Sequence, residues 1–409
     1  MFVSVCFFAL MQNYEPSYVD PRLGSPKPPI RVRERGPAKY FHGRLEVRSF
    51  FAQVRADAVQ DYGGTIFLIQ GAPGAGKTAL LHQCAVEADR DGWQVTELEY
   101  QALYEPAVMA QNMGKPYFTR EQRTTTVDAK VIARETTREK ASYSTVSQLL
   151  KGLAPDTGAL LILDEVQNIR DLTEGPHNLS AKSTLNAIHN GKLDRPVILL
   201  AGGLGTSEKA FGELGISRFD SGCIVNLGRL SEAAERAVIR DWLQDDGQAK
   251  GDLTPWIDAI ASETHGWPQH IMCFAQPAAR IVRDNSGVLK TDRLAYVLDQ
   301  GRERKAQYYQ GRINDVEKTT RSAMGRLLGN QPTDKVLDKR IILEALSDGR
   351  SPNEAQTEFN MLLYKGVIAI TPDGSYAVPI PSMHDWLVEH YSHEDRAARR
   401  QREDLELSR

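Results

Sequence analysis

Short aliphatic runs alternate with longer amphipathic segments through the first half of the chain. Strands are expected at 65–70, 94–100, 159–164, 196–201 and 223–227. The intervening segments carry helical periodicity, most clearly at about 44–60, 77–91 and 144–153. Strands that are apolar at nearly every position are typical of a parallel sheet covered by helices on both faces. The pattern therefore predicts an α/β fold with a parallel-sheet core.

The pattern changes after the fifth predicted strand. Ser231 is a good N-cap for the segment EAAERAVIRDWLQDDG, and helical periodicity continues from there to about residue 330. Two further helices are expected at about 334–347 and 352–364, followed by two short strands joined at Pro372-Asp373-Gly374. Helix, helix and hairpin is the outline of a winged helix. We therefore expect a helical lid subdomain and a C-terminal winged-helix domain after the sheet.

The chain has 409 residues, which is too long for one compact core. We divide it into a flexible leader, a core with a basic insertion, a helical lid and connector, a winged-helix domain and a charged tail. Their bounds are 1–38, 39–228 (insertion 113–142), 229–330, 331–392 and 393–409. The apolar start MFVSVCFFALM is too short to span a bilayer and lacks a basic flank, so we expect no membrane attachment. A signal or anchor and an over-extended start before Met11 both stay open.

Composition narrows the function only slightly. The formal net charge is −3, so no global basic field attracts nucleic acid, and any DNA contact must be local. The four cysteines lie far apart, with no pair at the spacing of a metal site or a redox motif. A reduced, cytoplasmic location fits this usage.

The segment QGAPGAGKTALL matches the P-loop pattern at every position and lies between a predicted strand and a predicted helix. Its glycines allow successive N–H groups to face a phosphate, and the helix beginning at Lys77 adds its positive dipole end. We expect Lys77 to reach the β and γ phosphates of ATP and the Thr78 hydroxyl to bind Mg²⁺. The predicted nucleotide-binding residues are Gly71, Ala72, Pro73, Gly74, Ala75, Gly76, Lys77, Thr78 and Ala79.

A second motif, ALLILDEVQNI, places Asp164 and Glu165 at the end of a buried strand. Open α/β sheets bind ligands at the carboxyl ends of their strands, so this pair should lie near the P-loop. We expect Asp164 to bind Mg²⁺ directly or through water, and Glu165 to orient and polarise the attacking water.

With both motifs in place, the chain resembles the AAA+ superfamily, and within it the origin-recognition, transposition-ATPase and STAND-like branches. The resemblance covers about residues 40 to 390. It implies ATP as ligand, Mg²⁺-dependent hydrolysis and a C-terminal winged helix. YFHGRLEVRSFF resembles the family's Gly-Arg box, which implies that His42, Gly43 and Arg44 border the adenine. An ordinary helix N-terminus is the alternative.

The same resemblance implies three further positions. Arg218, before the last core strand, matches the place of an arginine finger that reaches a neighbouring subunit, so a homo-oligomer is expected; a surface arginine is the alternative. Gly266 and Pro268 match the Gly-x-Pro turn of related lids, which implies that Pro268 lies at the nucleotide, although Gln269 and His270 stand where a sensor-2 arginine is usual. A tight turn between helices without nucleotide contact is the alternative. The sensor-1 strand ends in glycines, and Thr206 or Ser207 is interpreted as a helix N-cap, with contact to the γ phosphate as the alternative.

DNA binding is the least determined part of the function. From Glu317 to Arg409 the chain has 13 Lys and Arg against 15 Asp and Glu, a net of −2, although Arg350 and Lys365 could contact a backbone. The insertion at 113–142 is the better candidate, with seven cations against four acidic residues. A mobile polar loop without a partner is the alternative there.

Two functions follow from these observations. The first is an ATP-driven switch or motor that oligomerises through Arg218 and acts on duplex DNA, as in transposition, replication or mobile-element maintenance. The second is a STAND-like signalling or anti-phage defence ATPase whose winged helix contacts protein, with a separate partner protein as effector. Both predict Lys77 and Glu165 as catalytic residues and Thr78 and Asp164 as metal ligands, and the first adds Arg218 as a catalytic residue.

Overall fold

Five parallel strands form a sheet in the first half of the chain, in the order β2-β3-β4-β1-β5. The computed structural model describes residues 38–60, 63–114, 145–151, 158–172, 176–193, 195–216, 219, 222–333, 335–371 and 374–392. The strands are β1 Gly64–Gly71, β2 Gln94–Glu97, β3 Ala159–Leu163, β4 Val197–Gly203 and β5 Ile224–Leu227. Every residue of β3 and β4 is buried, which explains their unbroken aliphatic sequence. The predicted parallel-sheet core is confirmed.

Helices cover the sheet and shield its apolar strands from water. They are α1 Leu45–Gln60, α2 Lys77–Arg90, α3 Pro106–Asn112, α4 Val146–Lys151, α5 Asn178–His189 and α6 Ser207–Glu213, with 3₁₀ turns at Tyr100–Leu103 and Val166–Leu172. The strand predicted at 94–100 is too long. Leu98 still donates a hydrogen bond to Ile162, but the chain then turns into the first 3₁₀ turn, where the buried Leu103 packs into the core.

A bundle of helices follows the sheet. It contains α7 Glu232–Asp241, a π-helical turn at Trp242–Asp246, α8 Thr254–Thr264, α9 Pro268–Asp284 and α10 Thr291–Ile313. The predicted cap is present, because the Ser231 hydroxyl accepts a hydrogen bond from the Ala234 amide at 3.3 Å. The bundle has its own apolar core, to which α9 contributes Ile271, Phe274 and Ala278.

The last part of the described chain contains four helices and a hairpin. They are α11 Lys318–Gly329, α12 Lys339–Leu346, α13 Pro352–Tyr364, β6 Ala369–Ile370, β7 Tyr376–Ala377 and α14 Pro381–Tyr391. The helix predicted at 334–347 begins only at Lys339. The later start is explained by a tertiary contact. Leu337 exchanges backbone hydrogen bonds of 2.7 and 2.9 Å with Tyr376 and therefore joins the hairpin as an extended residue.

None of the helices within the described ranges is both long and apolar enough to span a bilayer. Several predictions lie outside those ranges altogether: almost the whole leader, the insertion from residue 115 onward, Arg218 and the charged tail.

Candidate nucleotide-binding site

The loop between β1 and α2 needs glycine at three positions, for two different reasons. Gly74 and Gly76 have φ angles of 82° and 89°, a left-handed conformation that side chains rarely adopt. Gly71 is needed for space, because a Cβ there would lie 2.9 Å from the Leu227 carbonyl oxygen of β5. The loop therefore curls at the carboxyl edge of the sheet, and α2 begins directly after it at Lys77.

Lys77 is almost fully buried, with 8% of its surface exposed. Its Nζ donates hydrogen bonds to the carbonyl oxygens of Gly71 at 2.9 Å and Ala72 at 3.3 Å. Burial lowers the pKa of Lys77, and the nearby Glu165 and Asp164 carboxylates oppose that shift. An ammonium group held in its own loop by two main-chain oxygens is suited to an anionic ligand, because a phosphate would replace weak neutral acceptors by charged ones.

Thr78 and Asp164 meet across 86 residues of sequence, with the Thr78 hydroxyl donating to Oδ2 of Asp164 at 2.6 Å. Asp164 also accepts from the Glu165 amide at 2.9 Å. Burial raises the pKa of the Asp164 carboxyl, while these two hydrogen bonds and Lys77 act to lower it. A hydroxyl and a carboxylate in contact beside a phosphate loop are the oxygen ligands that Mg²⁺ uses in such sites. The residues thus fit the predicted metal.

The adjacent strand β4 makes room for this pair. A Cβ at Gly202 would lie 2.9 Å from Oδ1 of Asp164 and 2.6 Å from Leu81, so a side chain there would displace the carboxylate. In the same way, a Cβ at Gly203 would lie 2.1 Å from the Ser207 hydroxyl. The two glycines that break the sensor-1 pattern are therefore required by the Asp164 side chain and by the start of α6.

Glu165 has an exposed side chain and a φ angle of 54°, which is uncommon for a residue other than glycine. Such a conformation stores about 1 kcal/mol or more of strain and is found preferentially at functional sites. The Gln167 amide donates to Glu165 and its carbonyl oxygen accepts from the Leu204 amide at 3.3 Å. Gln167, which sequence reasoning missed, thereby connects the predicted water-orienting carboxylate to the loop after β4.

Thr206 occupies the N-cap position of α6, as interpreted from the sequence, but its side chain makes no capping hydrogen bond. Ser207 is fully buried, and within the described chain its hydroxyl has no hydrogen-bond partner. The segment packs tightly against Gly203, which leaves the Thr206 side chain free of the helix end.

The Gly-Arg box lies beside the P-loop and joins the sheet to the bundle. The Arg44 guanidinium donates to the carbonyl oxygens of Ala75 at 3.4 Å, of Arg229 at 3.2 Å and of Gly228. Burial lowers the pKa of Arg44. Gly43 has a φ of 79°, and a Cβ there would lie 2.8 Å from Ala234. Among the described residues, Arg44 thus contacts main-chain carbonyls; adenine contact stays a prediction.

The Gly-x-Pro turn of the bundle contacts the P-loop directly. Gly266 has a φ of 76°, and its amide donates to the buried Glu235 carboxylate at 2.6 Å. A Cβ at Gly76 would lie 3.6 Å from the ring of Pro268, and the Gln269 amide donates to the Gly74 carbonyl oxygen at 3.2 Å. The start of α9 therefore packs on the side of the phosphate loop.

Residues from much farther along the chain also reach this loop. The Tyr308 hydroxyl on α10 donates to the Pro73 carbonyl oxygen at 2.7 Å. A Cβ at Gly366, after α13, would lie 2.6 Å from the Pro73 ring. A narrow crevice is lined by Gly71, Ala72, Leu204 and Gly205 on one side and by Gly366 and Ile370 on the other. Nothing in the sequence around Tyr308 or Gly366 indicated this contact.

Two cations proposed for DNA contact are engaged within the protein. Arg350 donates to the Glu317 carboxylate at 2.7 Å and to the Thr320 hydroxyl at 2.9 Å, and Lys365 pairs with Asp315. A phosphate backbone would have to displace these carboxylates. The prediction that they are available for DNA is therefore not supported by the arrangement of their side chains.

A family model described as the DNA/RNA helicase domain of Schlafen group 3 matches residues 64–203. That segment runs from β1 through β4 and contains both halves of the phosphate site. A search of curated proteins finds no match.

Solved structures resemble a larger part of the chain. The ORC2 protein of Aeropyrum pernix, solved in ADPNP–ADP complexes, is 13% identical with a TM-score of 0.52, covering 87% of this chain and 94% of that one. A Walker-type ATPase of Pyrococcus abyssi is 12% identical with a TM-score of 0.51, covering 85% and 96%. At these identities the likeness concerns the fold. The chain thus shares the fold of these two structures, a five-stranded parallel sheet followed by a helical C-terminal region.

Proposed function

We propose that this chain with the AAA+ type P-loop fold is a Mg²⁺-dependent ATPase that works as a nucleotide-controlled switch. The observation that carries the proposal is the convergence on one loop of a buried ammonium group, a Thr78–Asp164 contact and residues from both later parts of the chain. A site that only stored nucleotide would not need contacts from the later parts of the chain.

Each residue has a defined part in the proposed reaction. The main-chain amides of the loop and Lys77 bind and neutralise the phosphates, and Thr78 and Asp164 hold the metal. When bound, Mg²⁺ supplies positive charge that stabilises negative charge on the phosphate oxygens. Glu165 orients a water molecule and accepts its proton, and Gln167 positions the Glu165 carboxylate by donating to it.

The switch follows from the contacts of Pro73 and Gly74. These two residues are touched by α9 through Gln269, by α10 through Tyr308 and by the turn at Gly366. A nucleotide that changes the position of the loop therefore changes all three contacts together. A ligand can shift such an equilibrium by its difference in affinity for the two arrangements. This favours the STAND-like alternative, in which the C-terminal region is a winged helix that contacts protein.

Action on duplex DNA is the second candidate function. It is supported by the excess of cations in the insertion at 113–142, and a homo-oligomer would form through Arg218. The insertion from residue 115 onward and Arg218 lie outside the described residues.

Nucleotide binding and hydrolysis test the proposal with two substitutions. Lys77→Ala is expected to weaken ATP binding about 100-fold, or about 3 kcal/mol, in titration calorimetry. Glu165→Gln is expected to bind ATP normally and to hydrolyse it about 100-fold more slowly. Lys209 and Glu213 form an ion pair of 3.9 Å on α6, so Lys209→Ala and Glu213→Gln are matched controls that should leave both quantities unchanged. Unchanged turnover in Glu165→Gln would remove the proposed role of this carboxylate.

A measurement of the size of the protein in solution distinguishes the two candidate functions. Light scattering is performed with ATP, with ADP and without nucleotide, each with and without duplex DNA. The nucleotide-controlled switch is expected to change its hydrodynamic radius with nucleotide, and duplex DNA should have no effect on that radius. ATP-dependent oligomers that retain DNA at low salt would instead support the DNA-acting motor.

A further inference from the structure

The Arg312 guanidinium, near the C-terminal end of α10, lies in a protein environment that does not neutralise it. Its Nε and Nη2 atoms are buried, and within the described ranges neither has a hydrogen-bond partner. Nη1 makes one long contact of 3.5 Å to the Tyr308 hydroxyl, and the guanidinium lies over the Tyr308 ring at 5.7 Å. Two buried donors are thus left without an acceptor.

Two other partly buried arginines pair with carboxylates. Arg48 donates to the Glu87 carboxylate, and Arg350 donates to Glu317. No carboxylate in the described part of the chain forms an ion pair with Arg312. A buried cation without a partner destabilises a folded protein, and its unpaired donors each cost about 1–3 kcal/mol. Such a residue indicates a ligand that supplies the missing negative charge.

Arg312 lies next to the phosphate loop. Tyr308, one helical turn earlier, donates to the Pro73 carbonyl oxygen at 2.7 Å. A Cβ at Gly366 would lie 2.6 Å from the Pro73 ring and 2.9 Å from Nη2 of Arg312, so the guanidinium, the loop and this turn meet at one place. Pro73 belongs to the same loop whose Gly71 and Ala72 carbonyl oxygens accept hydrogen bonds from the Lys77 ammonium group. The Arg312 guanidinium therefore lies beside the loop that holds the Lys77 ammonium group.

We propose that Arg312 binds a phosphate oxygen of the nucleotide held by the P-loop. The proposal rests on the proposed nucleotide binding and extends it, because it places a phosphate ligand on α10, outside both the core and the Gly-x-Pro turn. The bound phosphate would then connect Lys77 of the core with α10 and with the turn at Gly366. The position of α10 and of the C-terminal region would depend on the charge in the site.

Different results are expected if Arg312 is purely structural and held by stacking on Tyr308. Two measurements distinguish this role from phosphate binding. In titration calorimetry with ATP and with ADP, Arg312→Met is expected to weaken binding about 10- to 100-fold. Arg312→Lys should recover part of this loss. Arg304→Met removes the same charge from an exposed position of the same helix and should change either affinity less than about twofold.

The comparison of the two nucleotides identifies the phosphate. A loss confined to ATP assigns Arg312 to the γ phosphate, and an equal loss with ATP and ADP assigns it to the β phosphate. Unchanged affinity for both nucleotides in Arg312→Met, in a protein whose Lys77→Ala variant has lost binding, would overturn the proposal and leave the proposed function intact. No heat with ATP in the unsubstituted protein would contradict the proposed function itself.

Thermal unfolding gives the second measurement. Without nucleotide, Arg312→Met should unfold at the same temperature as the unsubstituted protein or higher, because methionine fills a similar volume without an unpaired charge. The rise in unfolding temperature caused by ATP should be smaller in the variant. A variant that is less stable without nucleotide and shows the full ATP-induced rise would mean that Arg312 only packs on Tyr308.

Discussion

Acidification should destabilise this protein through one buried histidine that links the bundle to the C-terminal helices. His270 lies near the start of α9 with 1% of its surface exposed. Its Nε2 atom contacts the Tyr309 hydroxyl at 2.8 Å, and the same hydroxyl contacts the Ser382 hydroxyl at 2.8 Å. Burial lowers the pKa of His270 to about 3, and the positive charges of Lys305 and His265 add to that effect.

The sign and the size of this change in stability follow from the difference between the pKa of His270 in the folded and in the unfolded chain. The unfolded histidine has a pKa of about 6.5, so below that pH the unfolded chain binds a proton that the folded chain does not. The stability contributed by neutral His270 is therefore complete above pH 6.5 and declines as the pH falls toward 3. Between pH 7 and pH 5 the loss from this residue is about 2 kcal/mol.

The assay is urea unfolding at pH 7 and pH 5, followed by tryptophan fluorescence, for the unsubstituted protein and for His270→Gln. Glutamine keeps a polar side chain and does not titrate. The decrease in the free energy of unfolding on acidification should be about 2 kcal/mol smaller in the variant. Equal decreases in the two proteins would refute the reasoning, since they would show that His270 is protonated to the same extent in the folded and unfolded states.

The remaining predictions use substitutions with internal controls. Gly74→Ala should lower nucleotide affinity, because a methyl group there would lie 2.7 Å from a hydroxyl on α10, whereas Gly92→Ala has a similar φ of 84° and open space and should not. In denaturant unfolding, Gly301→Ala should lower stability by about 2 kcal/mol through a clash with a buried phenyl ring. Gly311→Ala on the same helix has no neighbour within 4 Å and should be neutral or stabilising. Thr78→Ala should raise the Mg²⁺ concentration needed for half-maximal hydrolysis at least tenfold; an unchanged Mg²⁺ dependence would exclude this hydroxyl as a ligand.

The phosphate site was largely predictable because its parts are local in sequence or fixed by the sheet. Gly71 to Thr78 are contiguous, and the flanking strand and helix follow from hydrophobic periodicity. Asp164 lies far away in sequence, but parallel strands bring their carboxyl ends to one edge, so its contact with Thr78 could be expected. The need for Gly202 beside Asp164 could not, because it depends on a side chain of the neighbouring strand.

The residues that cover the loop could not be found in this way. Tyr308 and Pro73 are 235 residues apart and belong to different parts of the chain. Arg312 looks like one of many polar residues on α10, and only the structure shows that two of its buried donors have no acceptor among the described residues. Likewise, the extended conformation of Leu337 depends on pairing with Tyr376, which overrides its helical periodicity.

The amino-acid sequence alone determined the type of core and the chemistry of its loop, since strand burial, glycine conformation and a lysine at a helix start are set by neighbours along the chain. Only the tertiary structure decided what surrounds the loop. Contacts of Pro73 with α10 and with the turn at Gly366 arise from packing between distant segments, and no local pattern encodes which buried donor will lack an acceptor.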